Sequence, residues 1–318
     1  MKNALVLGGT GFVGTEVCQM LASQGWHVSV ATRRTSSASH LLQLPQLSVL
    51  ELDVHDEAAL AQALAGQDAV VNLVAILHGT QAAFELVHVA LPQKLARACR
   101  AAGVRQVVHI SAIGADAQRP QAAPSMYLRS KGQGEAVLLQ AASSGQGSAF
   151  ALTILRPSVI FGAGDKFLTV FAELQKKLPF MPLAGANARF QPVWVGDVAA
   201  AVLRSLQGDG GALPGAAVRI FEACGPEVFA LRQLVQLSAQ LAGIRHGRGR
   251  PVLALPDWLG RLQATLMEML PGEPLMSRDN LDSMRVDNIA SGNVPGLAAL
   301  GIDAAALRPV AQAYLTRR

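Results

Sequence analysis

A chain of 318 residues that is 51% hydrophobic can bury the core of one large or two unequal globular domains, which excludes a disordered or fibrous protein. Its formal charge of +5 comes from 27 basic and 22 acidic residues scattered along the chain apart from the run Arg245 to Arg250, so it carries no nucleic-acid footprint. Three cysteines far apart, Cys18, Cys99 and Cys224, each within an apolar pattern, exclude a disulfide framework and suit buried thiols in a reducing compartment.

The first predicted element is a strand, Ala4 to Leu7, which runs into Gly8-Gly9-Thr10-Gly11-Phe12-Val13-Gly14. Glycines at 8, 11 and 14 allow a sharp turn, bare backbone against a pyrophosphate, and close packing of the helix that follows. The amphipathic pattern Val13, Val17, Met20, Leu21 supplies that helix, whose amide end favours phosphate. A dinucleotide site is expected here, lined by Gly8, Thr10, Gly11, Phe12 and Val13.

The second strand, His27 to Ala31, ends at Thr32, where an acidic residue would grip the ribose of NAD. Arg33 and Arg34 follow instead, and two guanidiniums suit the extra phosphate of NADP(H). The third strand, Leu47 to Leu52, leads to Asp53-Val54, placed either to meet the adenine edge or, through Asp53, to cap the helix Glu57 to Ala65. Past the fourth strand, Ala69 to Leu73, Ala75 is expected against the cofactor. His78 follows it and His88 sits in the next helix, Phe84 to Ala102; each is a possible proton relay or a packed side chain.

The fifth strand, Val107 to Ile110, precedes Ser111 and Ala112, and a helix from Tyr127 to Ala142 follows, with a Ser/Gly-rich loop after it. Tyr127 and Lys131 are four apart and share a helix face, so an ammonium can favour the phenolate of a group that otherwise titrates near 10. Lys131 can also reach the nicotinamide ribose.

The sixth strand, Leu152 to Leu155, ends in Arg156-Pro157, where Arg156 is expected to anchor a junction through ion pairs. This alternation predicts an α/β fold, a doubly wound parallel sheet with ligands at the carboxyl ends of its strands. Residues 1–160 are read as the NADP-binding Rossmann domain, and 161–318 as a smaller, mostly helical region on the substrate side. Gln191 to Val195 and Val218 to Ala223 read as strands partly returned to the main sheet, around a helix starting near Asp197, its expected N-cap.

Phe167, Phe171, Phe180 and Met181 suit an apolar substrate if they line the cleft. The tail helix Pro256 to Leu270 carries a stripe of Leu259, Leu262, Leu266 and Leu270. With Arg245 to Arg250 upstream it fits either an anionic membrane surface or the core. No cluster has metal-ligand spacing, so no metal is expected. No apolar run approaches the roughly 18 residues that cross a bilayer, and Lys2 leads straight into a strand. A location that is cytoplasmic or peripheral to a membrane is the expectation.

Together, Gly8 to Gly14, Asp53, Ser111 and Tyr127 to Lys131 resemble the extended short-chain dehydrogenase/reductases. More narrowly, Phe84 to His88, Val108 to Ala112, Tyr127 to Lys131, Leu155 to Gly162, Gln191 to Val193, Pro271-Gly272 and Asp287-Asn288 resemble atypical members related to the NADPH-binding accessory subunit of respiratory complex I. The resemblance implies Tyr127 as acid–base residue, Lys131 as its activator and a strand-end hydroxyl as the third member. Where that hydroxyl usually stands this chain has Ala112, one place after Ser111. Ser111 serves if the strand end is bulged; otherwise it satisfies backbone groups.

Two functions follow as expectations. The first is NADP(H)-dependent oxidoreduction of an apolar carbonyl or quinone-like substrate. The alternative is a non-catalytic NADPH-binding structural, assembly or sensor protein in contact with a respiratory complex. A nucleotide-sugar epimerase or dehydratase fits less well, because the segment from Ser111 to Tyr127 is short and lacks a Tyr-Gly pair.

Overall fold

The computed structural model describes residues 2–143, 150–207, 218–272 and 274–316; the Ser/Gly-rich loop expected after Ala142 lies largely outside them. Its strands are β1 (Asn3–Leu7), β2 (His27–Thr32), β3 (Leu47–Glu51), β4 (Ala69–Asn72), β5 (Gln106–Ile110) and β6 (Ala151–Pro157). They run parallel in the order β3-β2-β1-β4-β5-β6, and Val218–Ala223 adds a seventh parallel strand beside β6. The order reverses between β1 and β4, and such a reversal opens a crevice at the carboxyl ends of the strands.

The helices are α1 (Phe12–Ser23), α2 (Glu57–Leu64), α3 (Gln81–Glu85), α4 (Leu91–Ala102), α5 (Met126–Ser143), α6 (Leu168–Lys177), α7 (Val195–Gln207), α8 (Leu231–Leu241), α9 (Asp257–Glu268), α10 (Arg278–Ser283) and α11 (Leu307–Leu315). Strand alternation divides the sheet's apolar side chains between its faces. Val6, Val28, Val30 and Val108 pack with α1 and α7, whereas Leu5, Leu7, Val70 and Val107 pack with α2, α4 and α5. Residues 107 and 109 therefore point towards α5, and 108 and 110 away from it.

Between α3 and α4 the chain makes a π turn, Leu86–Ala90, so residues 81–102 form one bent helical run. Pro92 explains the irregularity: it has no N–H to give His88 O four residues back, and its ring crowds that carbonyl. The Leu91 N–H reaches Leu86 O, five back. Gly134 of α5 exploits the opening, because a Cβ there would lie 2.1 Å from His88 O.

Beyond β6, a third apolar cluster joins Phe161, Leu168, Leu183, Leu231, Val235 and Leu307, so α6, α8 and α11 share a core of their own. Asp197 lies inside the first turn of α7 and is not its N-cap; its Oδ2 accepts the Ala305 N–H at 2.8 Å, fastening the tail to that helix. Cys18, Cys99 and Cys224 are buried and free, and burial pushes each thiol up to about 12. Among the described residues no helix is long and apolar enough to cross a membrane.

Candidate functional site

The carboxyl ends of β1 to β5 bring the expected residues to one edge of the sheet. After β1, Gly8 takes φ +80°, and Gly11 N–H closes the turn onto Gly8 O at 3.1 Å. A Cβ on Gly14 would stand 2.2 Å from Gly8 O and 2.6 Å from Gly9 Cα, so α1 can approach the turn only with glycine there. Gly11 is the N-cap of α1 and no side chain caps it, which leaves the helix entrance to bare amides. Thr10, Phe12 and Val13 are half-buried around this turn. The cradle fits a diphosphate.

At the end of β2 the Thr32 Oγ1 donates to Arg34 O at 3.0 Å, turning the chain so that Arg33 and Arg34 are both exposed beyond the strand. The two roles open to Asp53 separate here. Asp56, not Asp53, caps α2, its Oδ1 accepting from Ala58 N at 3.0 Å and Ala59 N at 3.2 Å. Asp53 is exposed and accepts the His55 N–H at 3.0 Å, with half-buried Val54 beside it. Ala75 is exposed past β4, and half-buried His78 lies three residues further along.

The β5 end is not bulged. Ser111 N donates to Leu155 O at 2.8 Å and Ile113 N to Pro157 O at 2.9 Å, so the ladder with β6 continues. By alternation Ser111 therefore faces α5 with His109, and Ala112 faces away. Ser111 Oγ is buried and has no hydrogen-bond partner among the described residues, so it does not satisfy backbone groups. His109 Nδ1 meets Asn72 Nδ2 at 3.2 Å, and Val74 N–H donates to Asn72 Oδ1, which orients the amide as donor. Neutral His109 thus carries its proton on Nε2, also without a partner. Burial, aided by Lys131, holds its titration down to about 3.

Tyr127 and Lys131 face this edge from α5. Lys131 is buried and its Nζ donates to Ile110 O at 3.0 Å, while Nζ lies 6.0 Å from the Tyr127 ring centre. Burial lowers the ammonium to about 8 against the opposing pull of Glu135, and burial pushes the Tyr127 phenol above its usual range. Both shifts favour neutral groups. One turn along α5, buried Glu135 holds Arg156 in a two-pronged ion pair of 2.9 and 2.5 Å; the anchoring expected of Arg156 thus ties β6 to the helix bearing Lys131.

His88 is no relay near neutrality. Ile76 N–H donates to its Nε2 at 3.1 Å, so the imidazole proton sits on Nδ1 and is given to Ser130 Oγ at 2.8 Å. Ser130 in turn donates to Tyr127 O at 2.8 Å. Burial first, then the charges of Lys131 and His109, depress His88 to about 2. Its ring stands edge-on to Tyr127 at 5.6 Å, with Phe84 at 6.3 Å completing an aromatic trio. His88 therefore bridges the loop after β4 to the tyrosine helix.

One participant had no signal in the sequence. The Asp279 carboxylate accepts from Met126 N at 2.6 Å and Tyr127 N at 3.0 Å, capping α5 from α10. Ser283 Oγ donates to Ser125 Oγ at 2.8 Å beside it.

Comparison with known proteins agrees with this geometry. The chain is 28% identical over 305 residues to NADH dehydrogenase [ubiquinone] 1 alpha subcomplex subunit 9, mitochondrial, of Arabidopsis thaliana, covering 91% of this chain and 71% of that protein. It is 29% identical over 309 residues to the protein of that name in Mus musculus, covering 94% and 76%. Its fold matches the solved structure of MoeE5 in complex with UDP-glucuronic acid and NAD, with TM-score 0.69, 19% identity and 99% of each chain covered. The model of the NAD dependent epimerase/dehydratase family matches residues 4–239, which span β1 through α8, and the chain belongs to that family.

Proposed function

We propose that this protein holds NADP(H) across the β1–β4 crevice as a nucleotide-binding accessory protein of the respiratory-complex type. The observation that carries this reading is the state of the Tyr127 and Lys131 pair. An acid–base tyrosine needs a cation directed at its phenol, yet here Lys131 Nζ is engaged with Ile110 O at 3.0 Å and lies 6.0 Å from the Tyr127 ring centre, and Ala112 stands one place after Ser111, where the strand-end hydroxyl is usual. The names of the plant and mouse relatives support the same reading.

In it, the glycine turn of Gly8, Gly11 and Gly14, with Thr10, Phe12 and Val13, grips the diphosphate. Arg33 and Arg34 take the additional phosphate of NADP(H), since neither guanidinium forms an ion pair among the described residues. Asp53 and Val54 flank the adenine, Ala75 lies against the cofactor, and Lys131 reaches the nicotinamide ribose. A bound nicotinamide supplies a hydride to give or accept. Contact with a membrane-bound respiratory assembly belongs to this proposal.

Oxidoreduction of an apolar carbonyl or quinone-like substrate is the second reading, favoured by one observation. Ser111 Oγ is buried, unpartnered and on the α5 side of the sheet, where a substrate oxygen would meet Tyr127.

The test has two arms. Titration with NADPH and NADH, on the native chain and on Arg33→Ala/Arg34→Ala, should show NADPH preferred and at least about tenfold weaker binding of NADPH alone in the variant. NADPH absorbance followed with quinones and aldehydes should show no turnover. Turnover abolished in Tyr127→Phe replaces the holding role with the second reading, and failure to bind either coenzyme removes both.

A further inference from the structure

Helix α9 is built inside out. Its buried residues are its smallest, Gly260 and Ala264, while Trp258, Leu262 and Leu266 stand one turn apart on the opposite side, 66%, 51% and 57% exposed. A helix shaped only to pack on the protein body would turn its leucines inwards. Here a Cβ added to Gly260 would lie 2.7 Å from Ala184 Cβ and 3.8 Å from Leu281, so the small face brings the backbone close and displays the large one. The stripe continues past the helix through Met269, Leu270 and Leu275, all exposed. Seven of the thirteen large apolar residues exposed among the described residues fall between Leu253 and Leu275, too dense for ordinary scatter.

The charge beside this face names the occupant. Residues 244–275 contain Arg245, Arg248, Arg250 and Arg261 against Asp257, Glu268 and Glu273; Arg261 pairs with Asp282 and Glu268 with Arg278, which leaves the arginines of the 245–250 loop as the cations beside the stripe. Arg245 and Arg248 are exposed on a loop where Arg245 and His246 take φ +50° and +56°. From Arg250 the chain runs through Val252–Ala254, paired with Met181–Leu183, to the start of α9, an extended span of about 20 Å. An apolar stripe with tryptophan at its head and arginines within that reach is the chemistry of a helix lying in a lipid headgroup layer.

We propose that α9 and the Arg245–Arg250 loop form a docking surface for an anionic lipid bilayer, with α9 parallel to the membrane plane. The surface uses none of the residues placed at the crevice, so this proposal stands whichever coenzyme that crevice holds.

The full chain is floated with vesicles of phosphatidylcholine containing phosphatidylglycerol, and with phosphatidylcholine alone. Expected is binding to the anionic vesicles that weakens with salt, little binding to the neutral ones, and a loss of about tenfold or more both in Trp258→Ser/Leu262→Ser/Leu266→Ser and in Arg245→Glu/Arg248→Glu. These positions are exposed, so unfolding melts should match the native protein. Quenching of tryptophan fluorescence by brominated lipid should vanish in Trp258→Phe while binding persists. Equal flotation of native and stripe variants overturns the proposal. So does a native dimer that the stripe variant alone abolishes in sedimentation velocity, which would assign the face to a second copy.

Discussion

The carboxylate of Asp279 sits on the backbone amide of Tyr127 at 3.0 Å, joining α10 to the first turn of α5 across 152 positions of sequence. A helix entrance satisfied by a distant carboxylate behaves as a cap whose loss exposes buried amides. Asp279→Ala should cost about 0.5–2 kcal/mol, as in other caps. Its melting temperature should fall by a few degrees, and amide exchange should quicken at Met126 and Tyr127. Unchanged exchange at those two amides would refute the cap.

Acid should expose the two neutral histidines. His88 and His109 titrate at about 2 and about 3 in the fold, below the ordinary 6.5 of the unfolded chain. Between those limits the unfolded state binds protons the folded state refuses, so stability is fully present above about pH 6.5 and declines as pH falls towards 3. Each contributes about 1.4 kcal/mol per pH unit. His88→Gln keeps an acceptor for Ile76 and a donor for Ser130 without a titrating ring. Denaturant melts of that variant between pH 4 and 6 should show the slope reduced by one such increment; an undiminished slope would place His88 in the charged form.

Gly134→Ala tests the contact across the π turn. The new Cβ would meet the backbone carbonyl of His88 at 2.1 Å, and neither helix can yield without parting the aromatic trio. A loss of about 1–3 kcal/mol or more is expected in urea unfolding. A midpoint equal to that of the native chain would show that α5 does not seat there.

Glu135 and Arg156 should couple strongly. Glu135→Ala leaves a largely buried guanidinium without its carboxylate and should cost about 3–5 kcal/mol. Glu135→Leu/Arg156→Met should cost clearly less than the sum of its single changes, because no charge is stranded. Additive losses in that cycle would mean that the pair is not formed in solution.

The parallel sheet and its glycine turn were legible because strand, turn and helix signals lie within a few residues of one another, from Ala4 through Gly14 and from Ala69 through Gly103. The roles of Asp53 and Ser111 needed the register. Only the ladder running on to Ile113 shows which of Ser111 and Ala112 faces α5, and only geometry chooses Asp56 over Asp53 as the cap. The His88 tautomer depends on Ile76, twelve residues upstream, and Asp279 acts at a separation no local pattern encodes. The leucine stripe of α9 fitted both core and surface. The deciding signal was the small pair Gly260 and Ala264 on its other side, which marks where the helix touches the body.

The tail also sets an order of events during synthesis. The first five strands and α5 leave the ribosome long before Asp279, so the amides of Met126 and Tyr127 wait for their carboxylate until the tail is made. A product halted before residue 277 would lack that carboxylate, and with it Leu297, Leu300 and Leu307 of the apolar cores, so it would fray first at the start of α5.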